Sequence, residues 1–365
     1  MNALVATPRG HGAQAAPGDS ARSAVVLLGT GVVGGAFLRL LNARPGRAVR
    51  LVGAANSRRQ AVTGALLADR RVRERLNREG EPRDDHALLH ALDASGAGNR
   101  ILVDATASEA LAEQHAAWLA RGYHVVTANK AAAGSALVTW RKLQAAQDAG
   151  GRYGDAATVG AGLPVLSTLR RLRACGDVLL GLEGVFSGSL SWLFSRYDAS
   201  VPFSSLLRKA RELGYSEPDP RADLSGQDVA RKLLILARSA GFALEPEDIE
   251  VENLVPEALR ACPSEQFLAR SHELDEAFAE RHAQASRHGH VLRYLARLDR
   301  DGKARVNLAE VDPAHPAYPL RETDNLFALS TERYAARPLV IQGPGAGAEV
   351  TAQALLGDIL MLAGG

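Results

Sequence analysis

Two stretches of this 365-residue chain hold residue types at spacings that can do chemistry. The first is Gly29-Thr30-Gly31-Val32-Val33-Gly34, a G-x-G-x-x-G run. After an apolar strand and at the mouth of a helix, such a run binds a dinucleotide diphosphate. The first glycine permits a tight turn, the second lets the backbone approach the diphosphate, and the third allows close helix–strand packing. The N-terminus of the helix that follows offers unpaired amides to the anion. An NAD-selective site carries Asp or Glu about 20 residues further on. Here that region reads Ala54-Ala55-Asn56-Ser57-Arg58-Arg59, with two arginines and no carboxylate. Arg58 can pair with a 2′-phosphate, so NADP is expected, and use of NAD also fits. The competing reading of Arg58 and Arg59 is plain solvated charge.

The second stretch runs from Gly214 to Lys232. Pro218 and Pro220 constrain a loop that bears Glu217, Asp219 and Asp223, fixing where its carboxylates point. A helix is predicted to start near Ser225 or Gly226, which puts Asp228 and Lys232 four apart on one face. Leu233, Leu234, Ile235 and Leu236 follow, so the pair is expected where that helix enters the core. The bland alternative is a surface ion pair worth a few tenths of a kcal/mol.

These groups need elements to hold them. Ala24 to Leu28 reads as a buried parallel strand, Gly34 to Leu41 as a helix and Val49 to Ala54 as a second strand. Residues 57–100 are charged and helix-prone, with Arg70, Arg71, Arg73, Glu74 and Arg75 on solvated faces. Ile101–Asp104 and His124–Thr127 read as strands around a helix over Glu109–Leu119. Strands alternating with helices imply right-handed βαβ units and a parallel sheet. Past Gly150-Gly151 the texture changes to a tight loop over Ala157–Pro164 and helices over 164–174, 203–213, 227–239 and 264–289. Strands are expected over Glu183–Phe186, Val291–Leu298, Ala304–Glu310 and Leu339–Gln342, and a last helix over Ala348–Leu362. The division expected is a mobile tail (1–22), a dinucleotide-binding domain (23–152), a second domain (153–338) and a segment (339–365) that returns to the first. The fold class is α/β: a Rossmann-like parallel sheet domain with a second α+β domain for substrate binding and dimerisation.

Composition narrows the function classes. Lys+Arg is 43 and Asp+Glu 41, a net charge of only +2, with no basic stripe, so no nucleic-acid partner is expected. Cys175 and Cys262 are too few for a disulfide framework or a cysteine-built zinc site, and read as small buried hydrophobes in a reducing cytoplasm. No run reaches the ~18 apolar residues of a membrane span, and the first twenty lack the apolar core of a signal peptide. His288-Gly289-His290 and His315 have no Cys or acidic metal spacing around them, so no metal role is expected for them.

Six segments carry a resemblance: GTGVVGGAFL, VTANK, ATVGAGLPVLSTLR, GVFSGSLSWLF, ELGYSEPDPRADLSGQDVARKLLILAR and GPGAGAEVTAQALLGDIL. From about Ala24 to Leu362 the chain resembles homoserine dehydrogenases, in particular the dehydrogenase portion of bifunctional aspartokinase–homoserine dehydrogenases. The resemblance implies NAD(P)-dependent interconversion of L-aspartate 4-semialdehyde and L-homoserine, on the route to threonine and methionine; the open antiparallel strands of the second domain need cover, so a homodimer is expected, and a cytoplasmic one. It implies Lys232 as proton donor, with Asp228 one turn earlier favouring its charged form, and Lys130 near both nicotinamide and substrate. Glu217 and Asp223 become the carboxylates for the substrate amine, with Gly188, Ser189 and Tyr215 lining the same pocket. Thr106 and Gly347 are implied to contact the cofactor, beside Gly29, Gly31, Val32, Val33, Gly34 and Arg58. Relatives can hold a sodium ion through backbone carbonyls at positions matching Val159, Ala161 and Leu163. The family's Glu ligand is Ala156 here and Asp155 starts one position away, which speaks against the ion. Ala128 and Ala131 replace the usual Pro and Lys around Asn129-Lys130. A stand-alone catalytic unit without a threonine-sensing domain is expected. Other enzymes of related amino-acid routes fit less well: an aspartate-semialdehyde type needs a nucleophilic cysteine, and neither cysteine has a catalytic setting. Intact Lys130, Glu217, Asp223, Asp228 and Lys232 argue against an inactive dinucleotide sensor.

Overall fold

The computed structural model describes residues 23–43, 49–62 and 71–364. The tail expected over 1–22 and the solvated Arg70 lie outside the described residues. The first sheet contains β1 (Ser23–Leu28), β2 (Val49–Ala55), β3 (Arg59–Ala61), β4 (Glu81–Pro82), β5 (Asn99–Asp104), β6 (His124–Thr127) and β7 (Tyr153–Gly154). Their spatial order is β4-β3-β2-β1-β5-β6-β7. The five strands from β2 to β7 across β1 are parallel, whereas β3 and β4 extend the edge antiparallel. β1 is buried along its whole length, as an inner parallel strand covered on both faces must be. Strand order reverses between β1 and β5, and the loops that leave these two strands meet at the sheet's carboxyl end, where open α/β sheets bind ligands.

The second sheet contains β8 (Leu179–Val185), β9 (Ile249–Val251), β10 (Val291–Asp299), β11 (Ala304–Val311), β12 (Asp324–Thr331) and β13 (Leu339–Pro344). It runs β13-β12-β8-β10-β11-β9, antiparallel except for the β9–β11 pair. The helix Gln227–Ala240 packs on this sheet and buries Leu233 through Ala237 completely or nearly so. The C-terminal helix Ala348–Gly364 crosses back to the first domain. There Ala352, Leu355 and Ile359 join Phe37 and Val25 in one core cluster. Expecting 339–365 to return as a whole needs correcting: β13 belongs to the second sheet, and only the helix returns.

Several elements differ from those read in the sequence. β12, which pairs with both β8 and β13, was not anticipated, because a strand buried on both faces shows no alternation. The helix Leu137–Asp148 has no side-chain cap of its own; its Leu137 amide donates to Glu245 Oε2 at 2.7 Å, from 108 residues away. The helix Gly188–Arg196 starts at a Ser187 cap that accepts the Leu190 amide. The single helix expected over 264–289 is broken into Ser264–Arg270, a 3₁₀ turn at Ser271–Leu274, and Asp275–Arg287. At the break, Asp275 turns away to accept the Ser204 amide and hydroxyl. Cys175 is exposed and Cys262 only half-buried, a correction to both as buried hydrophobes. Cys175 caps a surface helix end, followed by Gly176 at φ 79°.

Candidate active site

The glycine turn is built by its neighbours. Gly29 has φ 93°, and a Cβ there would stand 2.9 Å from the Ala105 carbonyl and 2.7 Å from the Thr106 methyl, so the β1 and β5 loops touch at the switch point. A Cβ on Gly34 would overlap the Gly29 carbonyl oxygen at 1.8 Å, whereas one on Gly31 would meet nothing. Room is therefore left at the glycine where a diphosphate must approach the backbone. The first helix, Val32–Ala43, starts here, with Val32 exposed and Val33 half-buried. On the far side of the turn a concavity is lined by Thr30, Gly31, Asn56, Arg58, Arg73 and Asn77. Arg59 is diverted, donating to the Gly80 carbonyl at 2.6 Å. Asn56 Oδ1 accepts the Arg58 and Arg59 amides, which sets the direction of this segment. Arg73, a residue the sequence left as solvated charge, joins Arg58 at the same concavity.

A cleft of about 760 Å³ opens between the two domains. It is lined by Val33, Lys130, Gly188, Ser189, Tyr215, Glu217, Asp223, Asp228, Lys232 and Gly347, among others. Gly29, Gly34 and Thr106 do not line it, and Arg58 and Gly31 face the neighbouring concavity. Lys232 comes from the helix Gln227–Ala240 and is 9% exposed. Its Nζ donates to the Phe186 carbonyl at 2.7 Å and pairs with Asp228 Oδ2 at 2.8 Å. An ammonium has three N–H donors, so one is left for the cleft. Lys130 arrives from the other domain, and its Nζ lies 3.3 Å from Asp228 Oδ1. One carboxylate thus bridges two amines from separate domains. Burial by itself raises the Asp228 carboxyl, but Lys232 and Lys130 outweigh it and hold it well below the ordinary carboxylate range. The Asp228 side chain keeps 52% of its surface, so it sits deep in the molecule yet open to a ligand.

Lys130 is positioned from beneath. Asn129, buried next to it, donates to Asp104 Oδ2 at 2.9 Å and to the Ser108 carbonyl at 2.8 Å. Its own Oδ1 accepts the Ala131 amide. Asp104, at the end of β5, also meets His115 Nε2 at 3.0 Å and accepts the Thr106 amide and hydroxyl. The Thr106 hydroxyl is therefore spent inside the protein. On the substrate side, Asp223 Oδ2 accepts the Ser216 hydroxyl and the Glu217 amide, and this shapes the loop. The exposed Glu217 carboxylate has no partner among the described residues. Tyr215 packs against Trp192 in a tilted ring pair with centroids 5.4 Å apart. Sequence reasoning missed Ser187, Thr323 and Thr351 on the cleft wall; only the fold brings them there.

The ATVGAGLP loop does not fit a cation. Asp155, which precedes the loop, is held bidentate by Arg170 at 2.6 Å. The Leu163 carbonyl already accepts the Val165 amide at 2.8 Å. Neutral carbonyls of Val159 and Ala161 without a carboxylate make a poor hard-cation site. A further concavity on the second sheet is lined by charges that pair with each other, as Arg297–Glu183 and Arg305–Glu250 do.

The model of the family described as homoserine dehydrogenase matches residues 164–360, and that of its NAD binding domain matches residues 29–154. The chain belongs to the homoserine dehydrogenase family. It is 42% identical over 350 residues to bifunctional aspartokinase/homoserine dehydrogenase 2 of Escherichia coli strain K12, covering 94% of this chain and 43% of the relative. The chain thus spans less than half the length of that relative. It is also 42% identical over 281 residues to a homoserine dehydrogenase of Emericella nidulans, covering 73% of this chain and 76% of that one. A crystal structure of a Candida auris protein of unknown function superposes with a TM-score of 0.85 at 35% identity, covering 93% of this chain and 98% of that one. As a homoserine dehydrogenase family member the chain carries a nicotinamide dinucleotide-binding domain over residues 29–154, and among the described residues no helix is long and apolar enough to cross a membrane.

Proposed function

We propose that the interdomain cleft reduces L-aspartate 4-semialdehyde to L-homoserine, with NADPH preferred over NADH. The observation that carries this is the convergence of Lys130 and Lys232, from different domains, on Asp228 at the cleft wall beside the glycine-turn helix. When bound, the reduced nicotinamide supplies a hydride to the aldehyde carbon. As the C=O pair moves onto oxygen, Lys232 gives that oxygen a proton from its uncommitted N–H. Lys130 stands across Asp228 and offsets the developing negative charge. Asp228, ionised throughout, fixes both amines in place. Glu217 holds the substrate ammonium with the free oxygen of Asp223, while Gly188, Ser189 and Tyr215 close the pocket. The amides of Val32 and Val33 receive the diphosphate at the helix N-terminus, and Gly347 borders the nicotinamide end. Arg58 and Arg73 have no acidic partner among the described residues, which leaves both for a 2′-phosphate and supports NADPH.

A cytoplasmic homodimer is part of this reading. β13 is an edge strand with alternate residues exposed, and a second copy could cover it. Steady-state reduction of the semialdehyde with NADPH and NADH in parallel tests the activity and the cofactor. NADPH should be favoured at least ~10-fold, and Arg58→Glu should abolish the preference. Lys232→Met should lower kcat by about 10²–10⁴-fold while NADPH binding is kept. Full turnover in that variant would remove Lys232 as the donor.

A further inference from the structure

We infer that His288, His290 and Glu310 form a site for one divalent transition-metal ion at the edge of the second domain, apart from the catalytic cleft. β10 and β11 pair antiparallel with Leu292 opposite Glu310. Side chains alternate along a strand, so position 290 shares a face with Leu292. His290 is thereby the diagonal neighbour of Glu310. Gly289, in the left-handed region at φ 70°, turns the chain out of the helix Asp275–Arg287 and folds His288 back to the same spot. His290 Nδ1 lies 3.4 Å from Glu310 Oε2, and His288 Nδ1 lies 3.7 Å from the same oxygen. One ligand atom from each of the three residues falls within 4.8 Å of the others. Ligands bound at about 2.0–2.2 Å around one ion stand roughly 3–3.5 Å apart, so small side-chain rotations close the set.

The donor chemistry selects the ion. Two imidazoles and one carboxylate suit Zn²⁺, Ni²⁺, Co²⁺ or Cu²⁺, whereas an all-oxygen shell would suit Ca²⁺ or Mg²⁺. Glu310 has no Lys or Arg partner among the described residues; the two imidazoles are what faces it. His288 is exposed while His290 and Glu310 are half-buried, so the site is open on one side, where water completes the shell. A bound ion ties the end of a helix to β11, which favours the folded state.

Calorimetric titration of the untagged full chain with Zn²⁺ tests this. One ion per chain should bind with Kd of about 1–100 μM and raise Tm. His290→Ala and Glu310→Gln, both at a half-open edge, should each weaken binding by at least ~10-fold and cancel the Tm rise. The exposed His86→Ala should leave both unchanged. Circular dichroism of each variant confirms that it is folded. With Cu²⁺, the electron paramagnetic resonance spectrum should show coupling to two imidazole nitrogens, reduced to one in His290→Ala. No binding by the wild-type chain up to ~1 mM Zn²⁺, or equal binding by His290→Ala and Glu310→Gln, overturns the site.

Discussion

Asp104 and Asp228 are carboxylates with imidazole or amine partners, one in each domain, and they do opposite work. Asp104 is fully buried and accepts from Thr106 and Asn129 while it pairs with His115. Burial raises its carboxyl, and the His115 and Thr106 bonds more than reverse that shift. No part of this hub is left for a ligand, so it holds the β5 and β6 loops. Asp228 also binds two groups, but those groups and half of its own surface face the cleft. The same chemical group is closed off where its partners saturate it and open to a ligand where they leave a donor over.

Substitution should separate the two residues. The largest effect expected is in Asp104→Ala. It strands buried His115 and Asn129 polar atoms, so stability should fall by ~3–5 kcal/mol in urea unfolding. A loss below about 1 kcal/mol would show that the hub is not what holds the loops. Asp228→Asn should do the reverse: kcat falls about 10–10²-fold as both lysines lose their anchor, and stability changes by under ~1 kcal/mol. Steady-state rates measured beside an unfolding curve separate the two outcomes.

Asp358 is a third case, a half-buried carboxylate with fewer partners than either. It accepts one bond, from the Ala156 amide, and faces Asp155 and Arg170. Burial, reinforced by Asp155, pushes it up to about 6. In the unfolded chain the group ionises near the ordinary value of about 4. Between these values the folded state holds the extra proton, so stability falls as pH rises from about 4 to 6 and levels off above. Asp358→Asn should flatten that slope and stabilise the protein at pH 7.5 by ~1–2 kcal/mol. An unchanged pH profile would mean that the Ala156 and Arg170 contacts already compensate the carboxylate.

Much of the candidate site's layout was legible in the chain because it depends on local geometry. G-x-G-x-x-G between an apolar strand and a helix is a conformational requirement written in three residues, and the Gly29 and Gly34 contacts show why. Asp228 and Lys232 are one turn apart, so helical periodicity alone pairs them, as the 2.8 Å contact shows. The chain also shows that Ala156 lacks a carboxylate, and the structure adds that the neighbouring Asp155 is engaged by Arg170.

What the residues alone could not supply were relations between distant segments. Helical spacing set Lys232 beside Asp228, but only the packing of two domains brought Lys130 to the other oxygen, and only β8 delivered the Phe186 carbonyl that uses up a second N–H. His288 and His290 looked idle beside their sequence neighbours, and antiparallel pairing placed Glu310 against them. Local chemistry is set by torsions and spacing within a turn or two, so sequence determines it. Which groups share a cleft is set by how apolar faces pack across the whole chain, and that was decided by the tertiary structure.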